Sequence, residues 1–595
     1  MIDYTLSPES TSEHLFKVCL TADADTFKTL TISLPAWIPG SYMIRDFAKS
    51  IVDINPLDDA LVLTPRDKQS WTLTNDTNTA LGTITLEYTV FARDLSVRSA
   101  YINDEYAFCN GTSVFLCIEE LKDTPHNLSI DKTRVMPWAR TITAMNCIDD
   151  SSDTDNLRRF SSDNYETLID HPILIGKVTQ QSFVINETTY HVVFTGEHDF
   201  NMARICSDLA PICQHHEALF GDMPEANYYF ITLICKKGFG GLEHRASTIL
   251  QYSRDELPLI GEEAPIKDDY QDFLALCSHE LFHLWHVKRN KPDVMISPDL
   301  SQEVYTPQLW IYEGITSLYD DLSMARCGAI TPKAYLEVMG KNITRLLRNS
   351  GREKQSIAES SFYAWNKFYK QTASSTNHIV SYYLKGGLVA FGLDVHIRNQ
   401  SQDKYSLDDV LRILYRDYGA RNVGTPDDVI SLICREELDI DVDAFMQQFV
   451  YETTELPLAE WLNAIGLDLQ LRPRTGNADK GGTSSSSANK NDFGASLRDS
   501  SVGCKVTQVV SDSAASEADL QIDDRIISIN HQETKSKHLL RELNRHSDGD
   551  TVSLHLLRDG RLLEKQLSVR QAVKDTCYVE VKDQARYEQW LNVSQ

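Results

Sequence analysis

Alternation of apolar and polar side chains is clearest in GTITLEYTVFA, residues 82–92. There Ile84, Leu86, Tyr88 and Val90 alternate with Thr83, Thr85, Glu87 and Thr89. A period of two puts one face on a core and the other in water, as in a half-buried strand. TLTISLPAWIPGSY, residues 29–42, has a similar apolar, β-branched start and then breaks at a Pro-Gly pair. Several such strands predict an antiparallel, sandwich-like β domain over about 1–175.

From about residue 199 the pattern becomes helical. DFNMARICSDLAPICQHHEALFG spaces its apolar residues for one helix face. TPKAYLEVMGKNITRLLRNSG offers Thr331 as cap, Pro332 at the first helical position and Gly351 as terminator. SLDDVLRILYRDYG repeats the logic between Ser406 and Gly419, and TPDDVISLICREEL starts again at Thr425 and Pro426. A mainly helical domain is expected over 176–465. Residues 474–492, RTGNADKGGTSSSSANKND, have no apolar periodicity and are rich in Ser, Gly and Asn, which predicts a flexible linker or loop. Strands then return: CKVTQVV, RIISINHQ and the hairpin TVSLHLLRDGRLLEKQLSV, whose turn is Asp559-Gly560. With the helix KHLLRELNRH they predict a small domain over 493–575, followed by a C-terminal tail over 576–595.

The 595 residues are enough for several cores. With 42% apolar and 24% charged residues the composition is that of a globular chain, and no apolar run is long enough to span a bilayer. The start, MIDYTLSPES, has neither a basic nor an apolar leader segment, so a cytoplasmic location is expected. A formal net charge of −27 opposes nucleic acid and anionic membranes as partners. The twelve cysteines include no CxxC pair and read as reduced, mostly buried small residues.

The chemistry concentrates in CSHELFHLWHVKR, residues 277–289. On a helix His279 and His283 stack on one face and can offer two imidazole nitrogens to one ion, with Glu280 beside them. In this arrangement the metal lowers the pKa of water and the glutamate takes its proton. Phe273, Leu276, Cys277 and Leu284 supply the helix with an apolar stripe. A second apolar helix, WIYEGITSLYDDL, carries Glu313, and a carboxylate in so apolar a setting needs a partner such as a metal. Glu303 is a rival by spacing alone, but QEVYTPQ lacks a helical context and precedes a proline. Two imidazoles and a carboxylate suit zinc best and also accept cobalt or manganese.

HELFH, then WIYEGITSLYDDL, then SYYLKGGLVAFGLD, together with AWIPGSYMIRDFAKS and GREKQSIAESSFYAW, resemble the glycyl aminopeptidase family of gluzincin metallopeptidases, whose members often end in a PDZ domain. The resemblance implies a β-rich N-terminal domain, a thermolysin-like catalytic domain and a C-terminal PDZ domain. It implies one Zn2+ per chain held by His279, His283 and Glu313, with Glu280 as general base. Tyr383, in Tyr-Leu-Lys-Gly, would donate to the developing oxyanion, with Tyr382 as the competing choice. GFGGLEH, residues 238–244, is similar to the exopeptidase motif of aminopeptidase N-like enzymes. Gly240 and Gly241 would approach the substrate backbone and Glu243 would bind its free α-amino group, although Leu242 and His244 replace Met and Asn. His286 stands where the family suggests Asn, and would make either a hydrogen bond behind the metal ligands or a substrate contact. Asp320 could orient a ligand histidine. DSAASEADLQIDDRIISINHQ is similar to a PDZ stretch, with Asp519 and Asp523 where glycines are usual, and FGASL is the candidate peptide-carboxylate loop. The activity implied is removal of small N-terminal residues, Gly or Ala, from peptides with a free N-terminus, with a peptide or protein ligand for the PDZ domain. A zinc endopeptidase and an inactive PDZ scaffold are the alternatives.

Overall fold

The computed structural model describes residues 2–77, 79–262 and 266–591. The chain forms two units, Met1–Tyr305 with Leu414–Thr425, and Thr306–Ile413 with Pro426–Gln595. No helix of the described residues is long and apolar enough to cross a membrane.

In the first unit, strands β1 (Ile2–Ser10), β2 (Leu15–Ala24) and β3 (Gly82–Phe91) lie side by side in a seven-stranded sheet. Ile2, Tyr4 and Leu6 face inward with Phe16, Val18 and Leu20, and with Ile84, Leu86, Tyr88 and Val90, as the alternation predicts. One pairing, of β1 with His126–Asp131, is parallel rather than antiparallel. The buried phenols of Tyr4 and Tyr88 donate to the carbonyls of Leu116 and Val114, so burying them leaves no polar atom stranded. The chain turns at Pro39-Gly40, with Gly40 at φ +92°, left-handed backbone that a side chain would strain.

A five-stranded sheet follows: β4 (Val178–Ile185), β5 (Thr188–Thr195), β6 (Asn227–Cys235), β7 (Phe239–Glu243) and β8 (Ser247–Ser253), in the order β4-β5-β6-β8-β7. The central strands β5, β6 and β8 run parallel, and β7 returns antiparallel along β8 as an edge strand. Helix α1 (Met202–Phe220) is capped by the Asn201 side chain and stopped at Gly221, φ +78°. Helix α2 (Asp268–Phe282) packs on α1 and beneath β7 and β8. Its apolar face buries Phe273, Leu274, Cys277 and Leu281.

In the second unit, residues Trp310–Gly314 form a widened π-turn that runs into α3 (Ile315–Arg326). Helix α4 (Pro332–Leu347) begins as predicted, with the Thr331 hydroxyl accepting from the Ala334 N–H. It ends four residues before Gly351, which is glycine for another reason: a methyl there would stand 2.2 Å from the Ile379 carbonyl oxygen. The helix expected from Thr425-Pro426 begins only at Val429. Helix α5 (Leu384–Ser401) crosses the π-turn before α3 at two glycines. A methyl on Gly314 would lie 2.7 Å from the Gly386 backbone, so the close crossing needs both.

Strand β9 (Leu467–Arg472) closes the helical region. The small domain beyond it is a sheet of β10 (Ala495–Asp499), β11 (Cys504–Val509), β12 (Arg525–Ile529), β13 (Thr551–Arg558) and β14 (Arg561–Ser568), in that order, with helix α6 (Ser536–Leu543) beside β10. Asp519 and Asp523 are left-handed at φ +53° and +75°, and Asp559-Gly560 makes the hairpin turn at +49° and +76°. Residues 576–591, expected as a tail, instead carry β15 (Thr576–Val581), paired antiparallel with β9, and α7 (Gln584–Leu591). Cys577 and Val579 bury on β15, and Tyr587, Trp590 and Leu591 bury on α7, which is why this end folds back. Between the two domains, 474–492 is anchored over its first half. Arg472 and Asp479 form a nearly buried ion pair at 2.6 Å, and Gly481 and Gly482 lie against α4.

Candidate active site

Helix α2 carries its chemistry in its last turn. His283 is the first residue beyond the helix but keeps helical dihedrals, and its N–H donates to the His279 carbonyl, so both rings stay on one face. Their Nε2 atoms face each other at 3.0 Å. The Nδ1 of His283 lies 3.0 Å from the carbonyl oxygen of His286. A carbonyl only accepts, so Nδ1 holds the ring proton and Nε2 keeps its lone pair for a metal. The imidazole of His286 packs edge-on to Phe282 and lies 3.5 Å from the Asn290 amide nitrogen.

Ligand atoms of His279, His283 and Glu313 all lie within 4.8 Å of one another, the only group of this kind among the described residues. Glu303, the rival by spacing, is outside it and sits half-buried in irregular chain. Glu313 is 2% exposed and stands on the π-turn before α3, a local widening that often marks functional sites. Two convergent imidazole nitrogens and one buried carboxylate are a donor set that fits zinc.

Beside α2 the edge strand β7 closes in. Gly241 sits directly over Glu280: a methyl there would meet Glu280 Oε1 at 1.9 Å. Glu280 is buried, and its Oε2 accepts from the Thr248 hydroxyl at 3.3 Å. Two residues along the same face, Glu243 is 3% exposed, and Gly40 presses on it so closely that a methyl there would lie 2.3 Å from its Oε1. Gly240 points the other way and meets nothing within 4 Å. Arg98 ties these parts together, donating to the Ser41 hydroxyl at 3.0 Å and to the Gly241 carbonyl at 3.5 Å.

His244 follows Glu243 into the core. Its Nδ1 lies 3.3 Å from Asp170, which also accepts from Lys288 at 2.6 Å and from the Arg245 N–H. Burial opposes charge on Asp170, but the Lys288 ammonium and His244 outweigh it and hold the carboxyl well below the usual carboxylate range. Burial keeps His244 below the ordinary imidazole range. Neither Asp170 nor Lys288 carries a sequence signal of its own. The Gly40 turn does, within the AWIPGSYM stretch.

In the second unit Tyr383 lies at the start of α5. Its phenol is raised well above the usual range, first by burial and then by the negative charge of Glu313. Its hydroxyl lies 3.2 Å from that of Tyr369. Tyr382 is fully buried against Phe368 and Tyr383. Asp320, on α3, is half-buried and its Oδ1 accepts from the Asp321 N–H at 2.6 Å.

Residues 272–389 match the family described as M61 glycyl aminopeptidase, 3–177 match the peptidase M61 N-terminal domain, and 491–569 match a PDZ domain. A solved aminopeptidase N family protein from Idiomarina loihiensis is 36% identical over 99% of this chain and 100% of its own, with a TM-score of 0.95. An M1 zinc metallopeptidase from Deinococcus radiodurans is 10% identical over 77% and 94% of the two chains, with a TM-score of 0.48. Yeast LTA4 hydrolase in complex with bestatin is 14% identical over 78% and 69%, with a TM-score of 0.47. No curated protein matches this chain. The chain belongs to the M61 glycyl aminopeptidase family and is a zinc metallopeptidase of the aminopeptidase type.

Proposed function

We propose that this enzyme removes single residues from the free N-terminus of peptides, with one zinc ion held by His279, His283 and Glu313. The observation that carries the reading is the convergence of these three side chains beside a buried Glu280. Zinc so held supplies a Lewis acid that acidifies water and polarises the scissile carbonyl. The substrate extends along the free edge of β7, with Gly240 and Gly241 letting its backbone come close. Glu243 accepts the α-ammonium group and sets the register, so that the first peptide bond lies at Glu280. Glu280 takes a proton from the attacking water and returns it to the leaving amine. Tyr383 donates to the oxygen that gains charge as the carbonyl becomes tetrahedral. Membership of the glycyl aminopeptidase family favours a small first residue, glycine or alanine. The PDZ domain takes an extended peptide at the edge strand β10.

Glu243→Ala tests the reading. Cleavage of aminoacyl amides with a free amine is expected to fall by about 100-fold, because the cation loses its charge-assisted hydrogen bond. Acetylated peptides are expected to remain poor substrates at an unchanged rate. An equal fall for both, or no fall for either, removes the amine anchor and favours an endopeptidase with the same metal.

A further inference from the structure

Tyr369 precedes Tyr383 by fourteen positions, and it has no part in the roles assigned above. The hydroxyls of the two tyrosines lie 3.2 Å apart. Tyr369 is firmly placed. It ends the turn Ala364–Phe368, and its N–H donates to the Ala364 carbonyl. The helix before that turn opens with a reciprocal cap between Ser356 and Glu359. Gln355 and Ser360, on either side of the cap, bond to the N–H and the carbonyl of Val380, three residues before Tyr383. Phe368 stacks on the Tyr383 ring at 5.6 Å and an interplanar angle of 24°. The segment that carries one phenol is thus pinned to the segment that carries the other.

A phenol has one proton to give. If Tyr383 gives its proton to the oxyanion, the bond between the two hydroxyls must run from Tyr369 to Tyr383. We propose that Tyr369 is a positioning residue for the oxyanion donor. Its O–H donates to the Tyr383 oxygen, which turns the Tyr383 proton away from Tyr369 and toward the reacting carbonyl. A hydrogen bond accepted by a hydroxyl strengthens the one that it donates, so the same contact makes Tyr383 the better donor. The substrate carbonyl is nearly neutral and the tetrahedral oxygen is not, so the gain falls on the transition state and on kcat. This rests on Tyr383 being the oxyanion donor.

The test is a double-mutant cycle of Tyr369→Phe and Tyr383→Phe in the full-length zinc-loaded enzyme, with kcat and KM for an aminoacyl amide and a thermal midpoint for each variant. Tyr383→Phe is expected to lower kcat by about 100-fold. Tyr369→Phe is expected to lower kcat by about 10-fold with KM unchanged within about twofold. The double variant is expected to match Tyr383→Phe alone, because Tyr369 acts only through Tyr383. A Tyr369→Phe enzyme with wild-type kcat overturns the proposal. So does a double variant whose losses multiply, which would make Tyr369 an independent contributor. A fall in kcat that only follows a fall in thermal midpoint would assign Tyr369 a structural role and also overturn it. A Tyr383→Phe enzyme with wild-type kcat would instead overturn the oxyanion role of Tyr383, and the two failures are therefore distinguishable.

Discussion

At Gly241 the backbone of an edge strand touches the carboxylate of Glu280, and no side chain fits between them. Gly241→Ala is therefore expected to push Glu280 aside. With Glu280 as the proposed general base, a displacement of an ångström costs on the order of 100-fold in rate. Hydrolysis should fall by about that factor while metal content, measured on the purified variant, stays at the wild-type level. Gly240→Ala is the matched control, because its added methyl meets open space, and it is expected to fold and to hold metal normally. The sequence presented these glycines as a pair with one purpose. Only the packing separates them, because successive residues of a strand point to opposite faces. Likewise the sequence left Tyr382 and Tyr383 as competitors. In the structure Tyr382 is sealed in an aromatic cluster, while Tyr383 meets the hydroxyl of Tyr369 and feels the charge of Glu313.

Among the elements, those with a clear period were legible and those without one were not. The alternating strand β3 and the capped start of α4 match their sequence patterns. Strand β6 was not anticipated, because its last six residues are all buried and so show no alternation of apolar and polar positions. Helix α7 was missed because its apolar positions are few. They matter all the same: Trp590 is 2% exposed, packs edge-on to Phe391 and donates to Asp394 at 2.8 Å on α5, the helix that begins after Tyr383. Trp590→Ala is expected to cost about 3–5 kcal/mol, from lost burial and an unfilled cavity. Denaturant unfolding followed by far-ultraviolet circular dichroism would read this as an earlier transition. Strand β15 likewise turns the stretch around the PDZ domain into an insertion between two paired strands, held by Arg474 and Arg348 on Asp575.

For the whole molecule, carboxylates held below their usual range by cationic partners shape the response to acid, Asp170 and Asp479 among them. Asp170 is held down by Lys288 and His244, and Asp479 by Arg472 and backbone N–H groups, both against the opposing effect of burial. A carboxyl depressed in the folded state stabilises it above the unfolded pKa of roughly 4 and loses that contribution as pH falls further. Stability is thus expected to drop between about pH 5 and pH 2, and Asp170→Asn or Asp479→Asn should flatten that drop while lowering the plateau near pH 7. Thermal melts across this range check it. Zinc acts in the same direction by mass action: at a thousandfold excess over its dissociation constant it adds about 4 kcal/mol. Chelation is expected to lower the melting midpoint and to abolish hydrolysis, and restoring zinc should return both.

The sequence alone determined the residue types that can hold a metal, the helix that aligns His279 with His283, the alternating strands of the first domain and the turns of the last. All of these are local patterns, set by the two- and 3.6-residue periods and by the backbone freedom of Gly and Asp. Only the tertiary structure decided that Gly40, some two hundred residues before Glu243, closes on its carboxylate. It also decided that Asp170 and Lys288 clamp His244 and that Tyr369 meets Tyr383. These contacts join parts of the chain whose separation carries no period, and their partners are chosen by which faces the packed elements bring together.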